Sequence, residues 1–332
     1  MSDYTITVSG GGHYPAAAAE TLLEAGQRAG FGFPNACRNG NCLRCQGTLV
    51  HGSVRLRNGR TIRAGEAAAD AVVYCVAHAL EDCEINVPDM TAPGELPIVE
   101  AACQVTDITA LNHDVSRVML RLPAGKPVQW HAGQYLELLY GDAPAAFSIA
   151  NARQGDGRDL ELHVRHTADN PSSLEIMAQL RSDPIMRVRL PGGRRFLADA
   201  LPDKPVWFVC GSTGFAPAKA MIEHLLTQRF AHPIYLYWGA RRAEDIYLPA
   251  LPAAWAAAGQ VTYVPVLSES GNPDYRHGMV HEAVLADLTD PQRVEVHIGG
   301  SPIMAWAVFD ALNAAGVPAT AMHSDVFDYA PR

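Results

Sequence analysis

The first residues alternate apolar with polar, and "MSDYTITVSG" predicts an opening strand. At 18–34, "AAETLLEAGQRAGFGFP" changes to helical spacing and predicts a short helix ending near Gly30. The stretch "QGTLVHGSVRL" (46–56) alternates again and reads as a hairpin. "VPDMTAPGELP" (87–97), with three prolines and a glycine, breaks the pattern as a linker would. Beyond it, "VSRVMLRL", "GQYLELLY", "AFSIAN" and "LELHVRH" are short alternating segments that predict an antiparallel β-barrel. After Pro205, "VWFVC", "IYLYWGA", "VTYVPVL" and "VEVHIGG" are nearly continuous apolar runs. Helical stretches such as "PAKAMIEHLL" and "IMAWAVFDALNAAG" separate them. That order predicts a doubly wound parallel sheet. The expected boundaries are a first domain at 1–90, a linker at 91–98, a barrel at 99–203 and a nucleotide sheet at 204–332.

Composition agrees with several folded domains. A chain of 332 residues exceeds one ordinary core of about 100–150 residues. A net charge of −9 argues against a nucleic-acid partner, and no apolar run has the roughly 18 residues that a membrane helix needs. Seven cysteines, clustered toward one end, do not resemble a secreted disulfide framework, and a cytoplasmic protein is expected.

Three of those cysteines change the picture. Cys37, Cys42 and Cys45 are spaced C-x4-C-x2-C, and Cys75 follows after 29 residues. This is plant-type [2Fe-2S] spacing, with three ligands on one tight loop and a fourth from elsewhere. Zinc is the competitor, but zinc ribbons pair two C-x2-C knuckles and only Cys42 with Cys45 forms one. Gly40 sits where backbone must approach a cluster closely. Cys83, Cys103 and Cys210 match no ligand position and read as small buried hydrophobes.

A second chemical signal is "CGSTGFAP", directly after the first parallel strand. Gly211 and Gly214 permit a turn and a close approach, Thr213 offers a hydroxyl to a phosphate oxygen, and Pro217 suits a first helical turn. The loop is not G-x-G-x-x-G, so its context carries the reading.

The order of the pieces resembles the three-part ferredoxin–NAD(P)H reductase family, in particular reductases of aromatic-ring oxygenases and CDP-6-deoxy-glucoseen reductase-like proteins. The marks are "HAGQY" (131–135), "FSIAN" (147–151), "LHVRH" (162–166), "YWGARRAEDIY" (237–247), "GGSPIM" (299–304) and "HSDVF" (323–327). The resemblance implies a β-grasp 2Fe-2S ferredoxin domain, a flavin-binding barrel and a nucleotide domain. It implies an oxidoreductase that passes electrons from NADH through FAD to a 2Fe-2S cluster. A separate acceptor protein, such as an oxygenase, hydroxylase or dehydrase, would then receive them.

The resemblance also implies site residues. Phe147, Ser148 and Ile149 would line the flavin ring, Val164, Arg165, His166 and Ser173 would lie along the rest of FAD, and Gly211, Thr213, Gly214, Arg241 and Gly300 would hold NADH. Phe327 would cover the nicotinamide side of the ring, with Asp325 nearby, either in the site or as an end-of-chain cap. Ser148 and Phe327 would serve the reaction directly.

Departures from the pattern matter. Ala145 replaces the arginine of R-x-[YF]-S, Asp169-Asn170 replaces a glycine pair, and Gly299 stands where many relatives carry cysteine. FMN or a dissociable flavin is therefore an alternative to FAD, and a non-catalytic iron–sulfur binding or redox-sensing protein is an alternative to the reductase. Arg241 and Arg242 could meet the 2′-phosphate of NADPH, but Glu244-Asp245 follow closely, which favours NADH. The acidic run "LEDCE" (80–84) offers a docking patch for a basic partner, with a plain solvated face as the alternative.

Overall fold

The computed structural model describes residues 3–9, 11–35, 37–88, 90–94, 96–125, 128–141, 144–197, 201–269 and 273–332. The chain forms two compact units, Met1–Ile98 and Val99–Arg332.

The first unit runs β1 (Asp3–Val8), β2 (His13–Ala17), α1 (Leu22–Arg28), β3 (Gln46–His51), β4 (Ser53–Leu56), β5 (Thr61–Arg63), β6 (Val72–Val73), β7 (Ala77–Ala79) and β8 (Cys83–Asn86). Five strands form one sheet in the order β2-β1-β8-β3-β6, with β1 and β8 parallel. A smaller sheet has the order β5-β4-β7. This is the expected β-grasp pattern of sheet and helix. α1 starts where Thr21 and Glu24 cap each other reciprocally, and Gly30 follows its end with φ +87. Leu22, Leu23 and Ala25 then pack on Ile6, Tyr14 and Tyr74.

Residues 46–56 do not form the expected hairpin. β3 pairs with β6 and β8, whereas β4 pairs with β5 and β7. Gly52, at φ +90, turns the chain between the two sheets, where a Cβ would lie 2.5 Å from the Asp82 carbonyl oxygen. Alternation continues through the turn, so the pattern alone could not separate one ribbon from two. In the proline-rich stretch, Thr91 and Gly32 exchange backbone hydrogen bonds of 2.9 and 3.1 Å, which ties Thr91 to the first unit.

The second unit opens with β9 (Val99–Ala110), β10 (Val115–Arg121), β11 (Tyr135–Leu138), β12 (Ala145–Ser148), β13 (Asp159–Arg165), α2 (Pro171–Ser182) and β14 (Ile185–Gly192). The strands are antiparallel in the order β12-β11-β14-β9-β10-β13. A bridge between Ile149 and Leu162 joins the two ends, so the sheet closes into a barrel. Leu120, Leu136, Leu160 and Val188 fill it.

The rest comprises β15 (Val206–Gly211), α3 (Phe215–Thr227), β16 (Ile234–Ala240), α4 (Ala250–Ala257), β17 (Thr262–Leu267), β18 (Arg276–His277), α5 (Val280–Asp287), β19 (Glu295–Gly299), α6 (Pro302–Ala314), β20 (Met322–His323) and α7 (Val326–Tyr329). All its strands are parallel, in the order β18-β17-β16-β15-β19-β20. Every residue of β15 is buried, as a central strand covered on both faces requires. Strand order reverses at β15, which puts a ligand-binding crevice at the carboxyl ends of β15 and β19. Among the described residues, no helix is long and apolar enough to cross a membrane.

Candidate functional site

The cysteine loop joins α1 to β3. Its backbone enters the left-handed region at Arg38, Gly40 and Leu43, so successive amides turn toward its interior. The Cys42 amide donates to Cys37 Sγ at 3.2 Å and the Cys37 amide to Cys42 Sγ at 3.5 Å. Hydrogen bonds from the Asn39 amide and from Cys42 hold the Cys37 thiol down at about 6. Cys75 arrives on a 3₁₀ turn, buried beside Cys45, and burial pushes its thiol up to about 11.

The four thiols therefore gather two and two, Cys37 with Cys42 near solvent and Cys45 with Cys75 inside, and none is in a disulfide. Among the described residues, no three metal-ligating side chains converge on one ion. Two thiolates for each of two irons fit a dinuclear cluster, and that grouping does not fit four-coordinate zinc. Gly40 is favoured by its backbone, at φ +91, a conformation that L side chains rarely adopt, while a Cβ there would meet Val76 only at ordinary contact distance, 3.4 Å. Cys83, Cys103 and Cys210 are buried, and burial raises the thiols of Cys83 and Cys103 to about 11 and about 12.

The crevice of the second unit is lined by barrel and sheet together: Gly133 and Arg195 from one, Gly214, Gly299, Ser324 and Asp325 from the other. Its floor is backbone packed on backbone. A Cβ on Gly214 would lie 2.1 Å from the Gly299 carbonyl carbon, and one on Gly299 would lie 2.5 Å from the Gly214 oxygen. A cysteine at 299 would therefore collide with the turn, which gives a steric reason for glycine there. Gly300, at φ +150, sits against the Gly211 amide. The turn's left-handed residue is Ser212, at φ +48, so the glycines serve close approach more than turn geometry. Thr213 lies in the 3₁₀ turn that leads into α3, and Pro217 is in that helix's first turn.

The expected flavin residues are distributed unevenly. Ser148 is half-buried and pairs in register with Tyr135, and its hydroxyl makes no hydrogen bond among the described residues. Tyr135 lies flat on Gly192 and Gly193, where Cβ atoms would approach its ring to 2.2 and 3.0 Å, and Gly193 adjoins the Asp325 carboxylate. Phe147 packs partly on the barrel core. Ile149 and Val164 are wholly buried, so their side chains belong to the core and only their backbone can meet a ligand.

At the far end of the site, Arg165 donates to Asp114 at 2.6 Å and His166 bonds Ser116 at 2.9 Å. Ser173 donates to the Asn170 carbonyl, and Asn170 caps α2, which gives asparagine a role at the position where a glycine is expected. Phe327, partly buried against the core beside α6, packs on Trp306 with tilted rings 4.5 Å apart and meets Phe309 edge-on at 5.2 Å between centroids. Arg241 lies at the end of β16, its Nε 3.8 Å from Glu269.

Several residues that sequence reasoning passes over shape this region. The Asp325 side chain makes no cap bond to α7; burial and the nearby Asp328 push its carboxyl up to about 6. Arg195 holds Asp328 at 3.0 Å. His297 is buried beside the crevice with its Nε2 unpaired, and burial lowers it to about 3, so it is neutral. Lys219 of α3, only 6% exposed, binds Glu161 at 3.0 Å, Glu223 at 2.8 Å and the Ala150 carbonyl at 3.0 Å. Glu161 continues to His163 at 2.8 Å, and His163 to Tyr247 at 2.8 Å. The charged positions read singly as solvated ones, and only the fold brings them together.

Comparison with known proteins agrees with both sites. Residues 6–80 match the family described as "2Fe-2S iron-sulfur cluster binding domain", and residues 208–310 match "Oxidoreductase NAD-binding domain". The chain is 32% identical to terephthalate 1,2-dioxygenase reductase component 2 of Comamonas sp, over 96% of this chain and 95% of that one. It is 29% identical to the CDP-6-deoxy-L-threo-D-glycero-4-hexulose-3-dehydrase reductase of Yersinia pestis, over 92% and 93%. The crystal structure of an Amycolatopsis cytochrome P450 reductase superimposes with a TM-score of 0.65 at 27% identity, covering 96% of this chain and 97% of that one. With its thiols paired two and two and its glycine-floored crevice, the chain belongs to the three-part ferredoxin–NAD(P)H reductase family of oxidoreductases.

Proposed function

We propose that the protein takes electrons from NADH at the crevice, passes them through FAD, and delivers them singly from its 2Fe-2S cluster to a separate acceptor protein. A terminal oxygenase, a hydroxylase or a dehydrase fits that role. The observation that carries this reading is the crevice at the β15–β19 switch point, walled by both barrel and nucleotide sheet. NADH gives up two electrons together, one-electron centres take one at a time, and a bound flavin supplies the conversion.

The residues then have distinct work. The amides at Gly211–Gly214 and the amino end of α3 meet the nucleotide pyrophosphate. Gly299 and Gly300 let the nucleotide turn pack backbone on backbone to form the floor on which the nicotinamide would rest, and Ser148 offers its hydroxyl to the edge of a flavin ring lying along Phe147. Arg165, His166 and Ser173 lie toward the flavin phosphates, with Thr213 and Arg241 toward those of NADH. We assign Phe327, on α7 against Trp306 and Phe309, a supporting place and give its expected position at the crevice to Asp325. A cytoplasmic setting is part of this reading, because four of the seven cysteines gather as cluster ligands and the other three are buried singly, unlike a secreted disulfide framework.

Ala145 carries no charge and Arg165 is engaged by Asp114, which favours weak flavin retention and keeps the non-catalytic sensor as the second reading. The anaerobic visible spectrum, taken before and after stoichiometric NADH with acid-released flavin identified by chromatography, decides between them. Bleaching of flavin together with the iron–sulfur shoulder is expected. An iron–sulfur spectrum that NADH leaves unchanged would favour the sensor. Cys42→Ser should abolish cytochrome c reduction while NADH still bleaches the flavin.

A further inference from the structure

The first unit has a strongly divided charge. From residue 25 to 65 the chain has seven arginines and no aspartate or glutamate, within a protein of net charge −9. These are all the basic Lys and Arg residues of the first unit. Arg28 is neutralised by Glu20 at 2.9 Å and Arg63 lies 3.9 Å from Glu66. Arg38, Arg44, Arg55, Arg57 and Arg60 are exposed and, among the described residues, form no ion pair. Arg38 bonds only neutral groups, Asn35 at 3.4 Å and Gln27 at 3.1 Å.

These five flank the cysteine loop. Arg38 and Arg44 are inside it. Arg55, Arg57 and Arg60 are on the β4–β5 ribbon, and the Arg57 amide donates to the Val76 carbonyl at 2.8 Å. Val76 follows Cys75 and packs under Gly40. At the loop's crest Leu43 is 52% exposed in a left-handed conformation, an apolar side chain held outward between two cluster ligands. The acidic run "LEDCE" lies elsewhere. Glu84 pairs with His51, at the end of β3 opposite Cys45, while Asp82 accepts from the Thr5 amide and Glu84 from Ser9. The acidic patch is thus remote from the cysteine loop and cannot be its rim.

We propose that this arginine face, centred on Leu43, is the docking surface for the electron acceptor, and that the acceptor presents an acidic rim around an apolar contact. The proposal rests on the electron order given above. One NADH becomes NAD+ and one proton is released. Its two electrons leave at the cysteine loop one at a time, each reducing the metal of one acceptor molecule. A positive rim steers an anionic partner to the exit and is screened by salt. Leu43 supplies desolvated contact area at the centre.

The test uses the full-length holoprotein, NADH, and two one-electron protein acceptors of opposite charge, acidic plastocyanin and basic cytochrome c, across a salt series. The plastocyanin rate should fall as salt rises, and the cytochrome c rate should rise. Arg38→Glu/Arg44→Glu should lower the plastocyanin rate at low salt by about tenfold or more and flatten its salt dependence. Arg55→Glu/Arg57→Glu/Arg60→Glu, outside the ligand loop, should act in the same direction and serves if the loop variants lose iron. Leu43→Ala should lower the rate at all salt concentrations alike.

In every variant, NADH should reduce the chain's own iron–sulfur absorbance at the parent rate. A slowed internal reduction would mean that the face serves the chain's own second unit, and would overturn the proposal. So would an opposite or absent salt slope, or tight binding of duplex DNA or phosphatidylglycerol vesicles at physiological salt. If Cys42→Ser passes electrons to plastocyanin at the parent rate, the electron order fails instead, and that outcome is separate from failure of the docking face.

Discussion

At single positions, two carboxylates have consequences that can be worked out with their signs. Asp325 has its carboxyl pushed from 3.8 to about 6, so the folded protein holds that proton more tightly than the unfolded chain does. The cost of ionising it is absent below the lower value, grows between the two, and is complete above about 6. Asp325→Asn should therefore raise the thermal midpoint of the second unit more at pH 7.5 than at pH 4.5, measured by calorimetry across that range. An equal change at both pH values would contradict the assignment. Glu269 holds Arg242 at 3.4 Å and Arg241 at 3.8 Å at the carboxyl edge of the sheet, where an adenosine ribose would lie. All three side chains are exposed, so the effect is modest. Glu269→Gln should free both guanidinium groups and raise kcat/KM for NADPH by roughly two- to fivefold, as exposed ion pairs worth about 1 kcal/mol or less allow, with little change for NADH.

At the level of elements, the Lys219 cluster ties α3, which begins at the nucleotide turn, to the chain leaving β12 and to β13. Glu223 also accepts from the Ala152 amide at 3.4 Å. Lys219→Met would leave Glu161 and Glu223 without their cation in a buried setting, a loss of about 3–5 kcal/mol for a broken buried pair. Adding Glu161→Gln and Glu223→Gln should recover part of it, which unfolding midpoints of the single and triple variants would show. This cluster also shows the limit of what the sequence makes legible. The parallel strands can be read because burial on both faces leaves unbroken apolar runs such as "VWFVC", and the barrel strands because one face is wet. The hairpin expected at 46–56 fails because Gly52 changes sheets without breaking alternation. The long strand Val99–Ala110 escapes because its exposed positions outnumber its buried ones. The cysteine ligands can be read from spacing alone, since three of them are local. The Lys219, Glu161 and His163 cluster cannot, because the contacts that assemble it across the fold, Lys219 to Glu161 and His163 to Tyr247, span 58 and 84 residues of sequence.

For the whole molecule, the separation of cores matters most. The apolar core of the first unit, from Ile6 to Val87, shares no member with the cores of the second, whose members run from Cys103 in the barrel to Val326. Each unit therefore has the burial needed to unfold cooperatively by itself. A cluster held by four thiolates of the first unit adds its binding free energy to that unit alone, because the unfolded loop cannot gather the ligands. Calorimetry of the holoprotein should show two transitions. Cys42→Ser, or iron removal with a chelator, should move one of them down and leave the other in place. NADH at saturating concentration should raise only the transition that iron removal spares. A single transition that shifts as a whole under both treatments would mean that the two units unfold together, and the independence of the cores would be refuted.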